Sequence, residues 1–129
     1  MPYVEALTGM DVEFGKRLWQ ALRFHKTFPV NGMFWLFRLE SSVWHLAIAT
    51  PRVDIVGPRN AYAELANLTQ DLFTDSAQIA RIELISPKAP IYQALRSVFG
   101  QTESVAGVRL GNTQIGGMFI DDAYLYEIR

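Results

Sequence analysis

Two histidines, a scatter of carboxylates and one basic helix face are the side chains with chemistry to offer in this chain. Imidazole is the usual acid or base near neutral pH and a common metal ligand, so His25 and His45 come first. Neither stands at the spacing of a metal motif. His25 falls on the apolar stripe of a helix or at that helix's C-terminal end, where it complements the dipole. A structural role is favoured for both, with His45 kept as a candidate base. Asp54, Glu83, Glu40, Asp121, Asp122 and Glu127 carry the hard oxygens that a divalent cation takes. The adjacent pair Asp121-Asp122 reads more simply as turn chemistry, and the chain has neither a calcium-loop motif nor a His-Glu-x-x-His helix. No metal site and no cofactor is expected. The chain has no cysteine, which excludes disulfides, thiolate zinc sites, iron–sulfur clusters and a thiol nucleophile.

Other signatures are equally sparse. Ser41-Ser42 lacks the Gly-x-Ser-x-Gly elbow of serine hydrolases. The glycines from Gly107 through Gly111 to Gly116-Gly117 lack the Gly-Lys-Ser/Thr of a phosphate loop and read as turns and bulges. Lys16, Arg17, Arg23 and Lys26, with Arg38, form a modest basic cluster able to hold phosphates, and Trp19, Trp35 or Trp44 could stack bases. Twelve Lys plus Arg against thirteen Asp plus Glu leave a formal charge of -1, so no global field draws the chain to nucleic acid or anionic lipid. A solvated helix face is the favoured reading of the cluster.

The elements that must position these groups follow from periodicity. Thr8-Gly9-Met10-Asp11 has the spacing of a capping box, and Phe14, Leu18 and Leu22 recur behind it on one stripe, which predicts a helix to about Phe24. Pro29 and Asn31-Gly32 end it. Met33 to Leu39 and Val43 to Ala49 then read as a hairpin. An even loop, Ser41-Ser42 or, preferably, Glu40 to Val43, puts Trp35, Phe37 and Leu39 on one face with Trp44, Leu46 and Ile48. The other face holds Phe34, Leu36, Arg38, His45, Ala47 and Ala49. Val53 to Val56 reads as a short third strand. Gly57-Pro58 opens a second helix with Tyr62, Leu65, Leu68 and Leu72 inside. Residues 79–86 alternate as a strand, and Pro90 to Gly100 is a third helix with Ile91, Leu95 and Val98 inside. The tail reads as an antiparallel meander over 105–110, a Gly111-Asn112 turn, 113–115, a Gly116-Gly117 break and 123–128, with Asp121-Asp122 at a turn.

Over residues 10 to 85 the order helix, three strands, helix, strand is similar to the core order of restriction-endonuclease-like nucleases. That resemblance implies an acidic residue in the second strand and an acid-x-Lys pair in the third. Asp54 stands at the acid of that pair, and Val56 stands where the lysine belongs.

The expected fold is one α+β domain over 1–129, a mixed and mostly antiparallel sheet with three covering helices. Half of the chain is apolar, enough for a full core. The start of the chain has no signal-peptide pattern and no segment suits a membrane span, so a cytoplasmic location is the default. The hairpin and the segment Tyr124 to Ile128 carry more aromatic bulk than a half-wet sheet needs. Trp35, Trp44, Tyr124 and Tyr126 are therefore expected contact residues. The favoured function is a non-catalytic interaction or assembly module that binds protein, itself included. The alternatives are a phosphodiester-acting enzyme using Asp54, Glu83 or His45, and a nucleic-acid-binding module using the basic helix face.

Overall fold

The computed structural model describes residues 6–72, 76–100 and 105–129. Its first helix, α1 (Gly9–Leu22), starts where the capping box places it: Thr8 Oγ1 accepts from the Asp11 amide at 3.1 Å, and the Thr8 amide donates to Asp11 Oδ2 at 2.9 Å. Aspartate thus serves where glutamate is usual. Phe14, Leu18 and Leu22 are buried as their spacing predicts, with Gly15 beside them.

Asp11 also receives Arg81 from across the fold at 2.5 Å. Partial burial pushes its carboxyl up, but the hydrogen bonds from Thr8 and Arg81 outweigh this and hold it below the ordinary 3.8. A folded-state value below the unfolded one adds stability above the unfolded pKa, and that stability is lost as pH falls through the folded value. Asp11→Asn is therefore expected to cost about 1 kcal/mol at neutral pH. The gap to the parent protein should close in urea titrations carried below the ordinary carboxylate pKa, and a gap constant with pH would contradict the assignment.

Strands β1 (Gly32–Arg38) and β2 (Val43–Ala49) form the expected hairpin. Trp35 lies opposite Leu46, Phe37 opposite Trp44, and Arg38 opposite Val43. The even loop and both face assignments hold for every residue but Leu39. The loop is Leu39 to Ser42, one residue earlier than preferred, with Ser42 in the left-handed region at φ 55°. Leu39 consequently leaves the sheet and is exposed.

The expected third strand is a helix. Residues Arg52–Val56 form a single-turn α2, followed by α3 (Pro58–Thr69) and a second short helix, α4 (Ser76–Ala80). Gly57 joins α2 to α3 at φ 86°, a backbone that side chains rarely adopt. With Val53 and Val56 packed inward from a helix, the order that resembles the nuclease core is not the order of this fold. The stripe of α3 is also rotated: Ala61, Leu65 and Thr69 are buried, while Tyr62 and Leu68 are exposed. Tyr62 instead caps a strand edge, its hydroxyl accepting from the Leu84 amide at 2.9 Å.

Strand β3 (Ile82–Ile85) begins later than its alternation suggests, because residues up to Ala80 are helical. It pairs parallel with β2. Helix α5 (Pro90–Phe99) buries Tyr92, Ala94 and Leu95 and leaves Val98 exposed. The tail holds two long strands rather than three short ones, β4 (Val108–Ile115) and β5 (Met118–Ile128). Gly116 and Gly117, both at positive φ, make the two-residue turn between them. Asp121 and Asp122 sit within β5, not at a turn.

Among the described residues the sheet runs β3-β2-β1-β5-β4, and β2–β3 alone is parallel. The α+β expectation is met, with five helices among the described residues, two of them one turn long. Each face carries its own core. Trp35, Trp44, Leu46, Ile48, Ile82 and Leu84 pack with α1, α2 and α3 on one side. Phe34, Leu36, Ala47, Ala49 and Leu125 pack with α5 on the other. Among the described residues no helix is long and apolar enough to cross a membrane.

Candidate functional site

The candidate acids and bases are dispersed. Asp54 accepts from the Ser86 hydroxyl at 2.6 Å on the exposed side of α2. Glu83 pairs with Arg38 at 3.3 Å across β2. His45, half-buried on the same face as that pair, lies opposite Leu36 rather than opposite Arg38, and its buried Nδ1 has no hydrogen-bond partner. His25 stands 3.2 Å from the Thr27 hydroxyl in the loop after α1. Asp121 accepts from the Leu39 amide at 2.9 Å, Asp122 takes a two-pronged bond from Arg109, and Glu127 pairs with Arg129. Among the described residues no three carboxylate or imidazole side chains gather as a cation site would require.

The aromatic contact residues divide. Trp35 and Trp44 are 0% and 2% exposed, so they offer no surface to a partner. Trp35 donates from Nε1 to the Tyr126 hydroxyl at 3.1 Å, and Trp44 packs on Phe37 with Arg109 over its ring. Tyr126 is buried as well. Tyr124 is half-exposed and faces the same side of the sheet. The correction has a simple cause: α1 and α3 cover from one side, and α5 from the other, the surfaces that alternation alone leaves unassigned.

Comparison with known protein families, curated proteins and solved structures finds no match. The surface itself must therefore carry the argument, and two concave regions stand out.

The first is a cleft of about 550 Å³ between the loop after α1 and the α2–α3 pair. Lys26, Phe28 and Pro29 form one wall; Arg52, Ile55, Glu64 and Leu68 form the other. Arg52 grips Glu64 through two bonds of 2.8 and 2.6 Å, which fastens α2 to α3 and neutralises both charges. That guanidinium also holds the Glu64 carboxyl below its ordinary range. With Val53 and Val56 turned inward, Ile55 points out at 66% exposure, and Leu68 follows at 42%. The lips of the cleft are thus aliphatic, and its one acid is already paired with its arginine. Reading 53–56 as a strand hid Ile55. The signal that could have found it is the pairing of Pro51 before and Gly57 after a segment just one helical turn long.

The second is a smaller pocket of about 200 Å³ between α1 and the outer strands, walled by Lys16, Trp19, Tyr124 and Tyr126 and floored by Ala106 and Gly107. It brings together residues expected in two separate roles, the phosphate-binding Lys16 and the contact residues Tyr124 and Tyr126. Arg23 does not line it, but its guanidinium lies between the rings of Trp19 and Phe24 at 4.4 and 4.6 Å, against the Trp19 wall. Arg17 is exposed on α1, and Lys26 belongs to the first cleft.

Proposed function

We propose that the chain is a non-catalytic protein-interaction module that associates with itself, and that the cleft beside Ile55 and Leu68 is its contact surface. The observation that carries this reading is the pair of exposed aliphatic lips on a cleft whose Arg52 and Glu64 are already paired with each other, leaving Lys26 as its one charged group to face solvent among the described residues. Such a site takes an apolar side chain from a partner and asks for little polar compensation. The chain offers a fitting side chain of its own. Phe24 stands 78% exposed at the end of α1, two residues from the cleft wall at Lys26, with its ring held by Arg23. Aromatic and arginine residues are the usual anchors of protein contacts, and the near-zero net charge imposes little repulsion between copies.

Sedimentation velocity across micromolar to millimolar concentrations tests the proposal. The parent protein is expected to shift from monomer to dimer. Phe24→Asp and Ile55→Asp, both at exposed positions, should each weaken that association about tenfold or more, equivalent to about 1.4 kcal/mol. Their thermal unfolding should stay within a few degrees of the parent. A parent protein that remains monomeric throughout, or variants that dimerise as it does, would remove the self-association reading.

A further inference from the structure

We infer that the pocket between α1 and β5 is a ligand site for a small planar ring bearing a negative charge, such as an aromatic carboxylate or a nucleoside phosphate. The inference is independent of the cleft and rests on which polar groups the pocket leaves unused. Its walls are aromatic: Tyr124 meets Tyr126 edge to face at 5.3 Å, and Trp19 lies tilted against Tyr126 at 6.2 Å.

The polar groups around those walls are nearly all donors. Tyr126 is committed already, accepting from Trp35 and donating to the Val12 carbonyl at 2.7 Å. Among the described residues, the Lys16 ammonium and the Tyr124 hydroxyl have no hydrogen-bond or ion-pair partner, and the Trp19 indole nitrogen in the same wall is buried and unpartnered. Among the described residues no carboxylate lines the pocket. Asp11 and Glu13, whose charges reach the Tyr126 hydroxyl, lie outside the lining, and Asp11 is already neutralised by Arg81. The Arg23 guanidinium on Trp19 adds a second positive charge.

Gly107, in the lining, has φ 87°, a backbone that favours glycine, and even a Cβ there would make only ordinary contact with the Tyr124 hydroxyl, at 3.7 Å. An aromatic slot with an unpaired phenol donor, an unpaired ammonium and, among the described residues, no lining anion is complementary to a ring with an anionic substituent. At this volume it takes a single small ring system, and the remainder of a larger ligand such as a nucleotide stays outside it.

The experiment is an amide and indole NMR titration of the whole protein with four probes: benzoate, adenosine monophosphate, and the ring controls benzamide and benzylamine. Saturable shifts of Lys16, Trp19 and Gly107 signals with benzoate or the nucleotide, at least tenfold weaker with benzamide and benzylamine, are expected. Lys16→Met should weaken the anion's binding at least tenfold while leaving the melting temperature of the free protein unchanged. Tyr124→Phe should weaken it by a smaller factor. Benzoate alone would assign a carboxylate ligand, and the nucleotide alone a phosphate one. No saturable shift with either anion, equal binding of the uncharged amide, or undiminished binding by Lys16→Met would each overturn the inference.

Discussion

Alanine at position 15 is expected to destabilise the protein by about 1–3 kcal/mol, even though alanine is the better helix former. Gly15 sits inside α1, where glycine alone costs about 1 kcal/mol relative to alanine. Its retention is explained by what lies against it. A Cβ there would enter the Tyr126 hydroxyl and stand 2.6 Å from Cζ of the same ring. The far atoms of a flexible side chain could retreat, but this ring is fixed. Its hydroxyl donates to the Val12 carbonyl and accepts from the buried Trp35 indole. Burial holds the phenol protonated, with its pKa well above the ordinary 10.0, so the donor role persists through the physiological range. Moving Tyr126 breaks both bonds and strands an indole N–H in the core; moving α1 opens the first cluster. A urea-unfolding comparison of Gly15→Ala in two backgrounds separates these effects from helix propensity. With Tyr126 present the change should destabilise. In Tyr126→Leu, which removes the opposing ring, it should become neutral or stabilising. A stabilising effect in the parent background would show that α1 does not approach the sheet this closely.

Some of this architecture was legible before any coordinates. The Thr8 box, the Phe14-Leu18-Leu22 stripe and the two-glycine turn at Gly116-Gly117 are local devices, and the interactions that make them lie within a few residues. The hairpin parity was legible too, since only an even loop keeps Trp35, Phe37, Trp44 and Leu46 together. The failures are of another kind. Val53-Asp54-Ile55-Val56 alternates like a strand, and one helical turn is too short for a 3.6-residue period to show. The true stripe of α3, Ala61-Leu65-Thr69, has a small and a polar residue at its ends, whereas Tyr62 and Leu68 are bulkier and drew the assignment. The hairpin's aromatic surplus was real, but what covers it comes from α1, α3 and α5, segments distant in sequence. The two concave regions are assembled from equally distant pieces, so Lys16 and Tyr124 could be named as candidates without any sign that they share a pocket.

Trp35→Ala is expected to cost about 3–5 kcal/mol, a large part of the stability of a domain this size. The residue is wholly buried in the first cluster, with the Arg81 guanidinium 4.7 Å above its ring and its N–H committed to Tyr126. Truncation removes a large side chain from between the sheet and its covering helices, and the surrounding strands β2 and β5 are hydrogen-bonded to β1 on both sides and cannot collapse into the void. It also frees Arg81 from its aromatic support, so the ion pair with Asp11 that ties the start of β3 to the start of α1 is weakened in the same step. Trp35→Phe should cost less, keeping most of the volume while losing the bond to Tyr126. Urea titration read by far-ultraviolet circular dichroism gives both values. The contrast with Ile55→Asp decides between core and contact surface: a core residue loses stability when truncated, whereas an exposed contact residue loses association at nearly constant stability. If Trp35→Ala kept the parent midpoint and only association suffered, Trp35 would have to lie at a surface, and the packing of α1 on this sheet would be wrong.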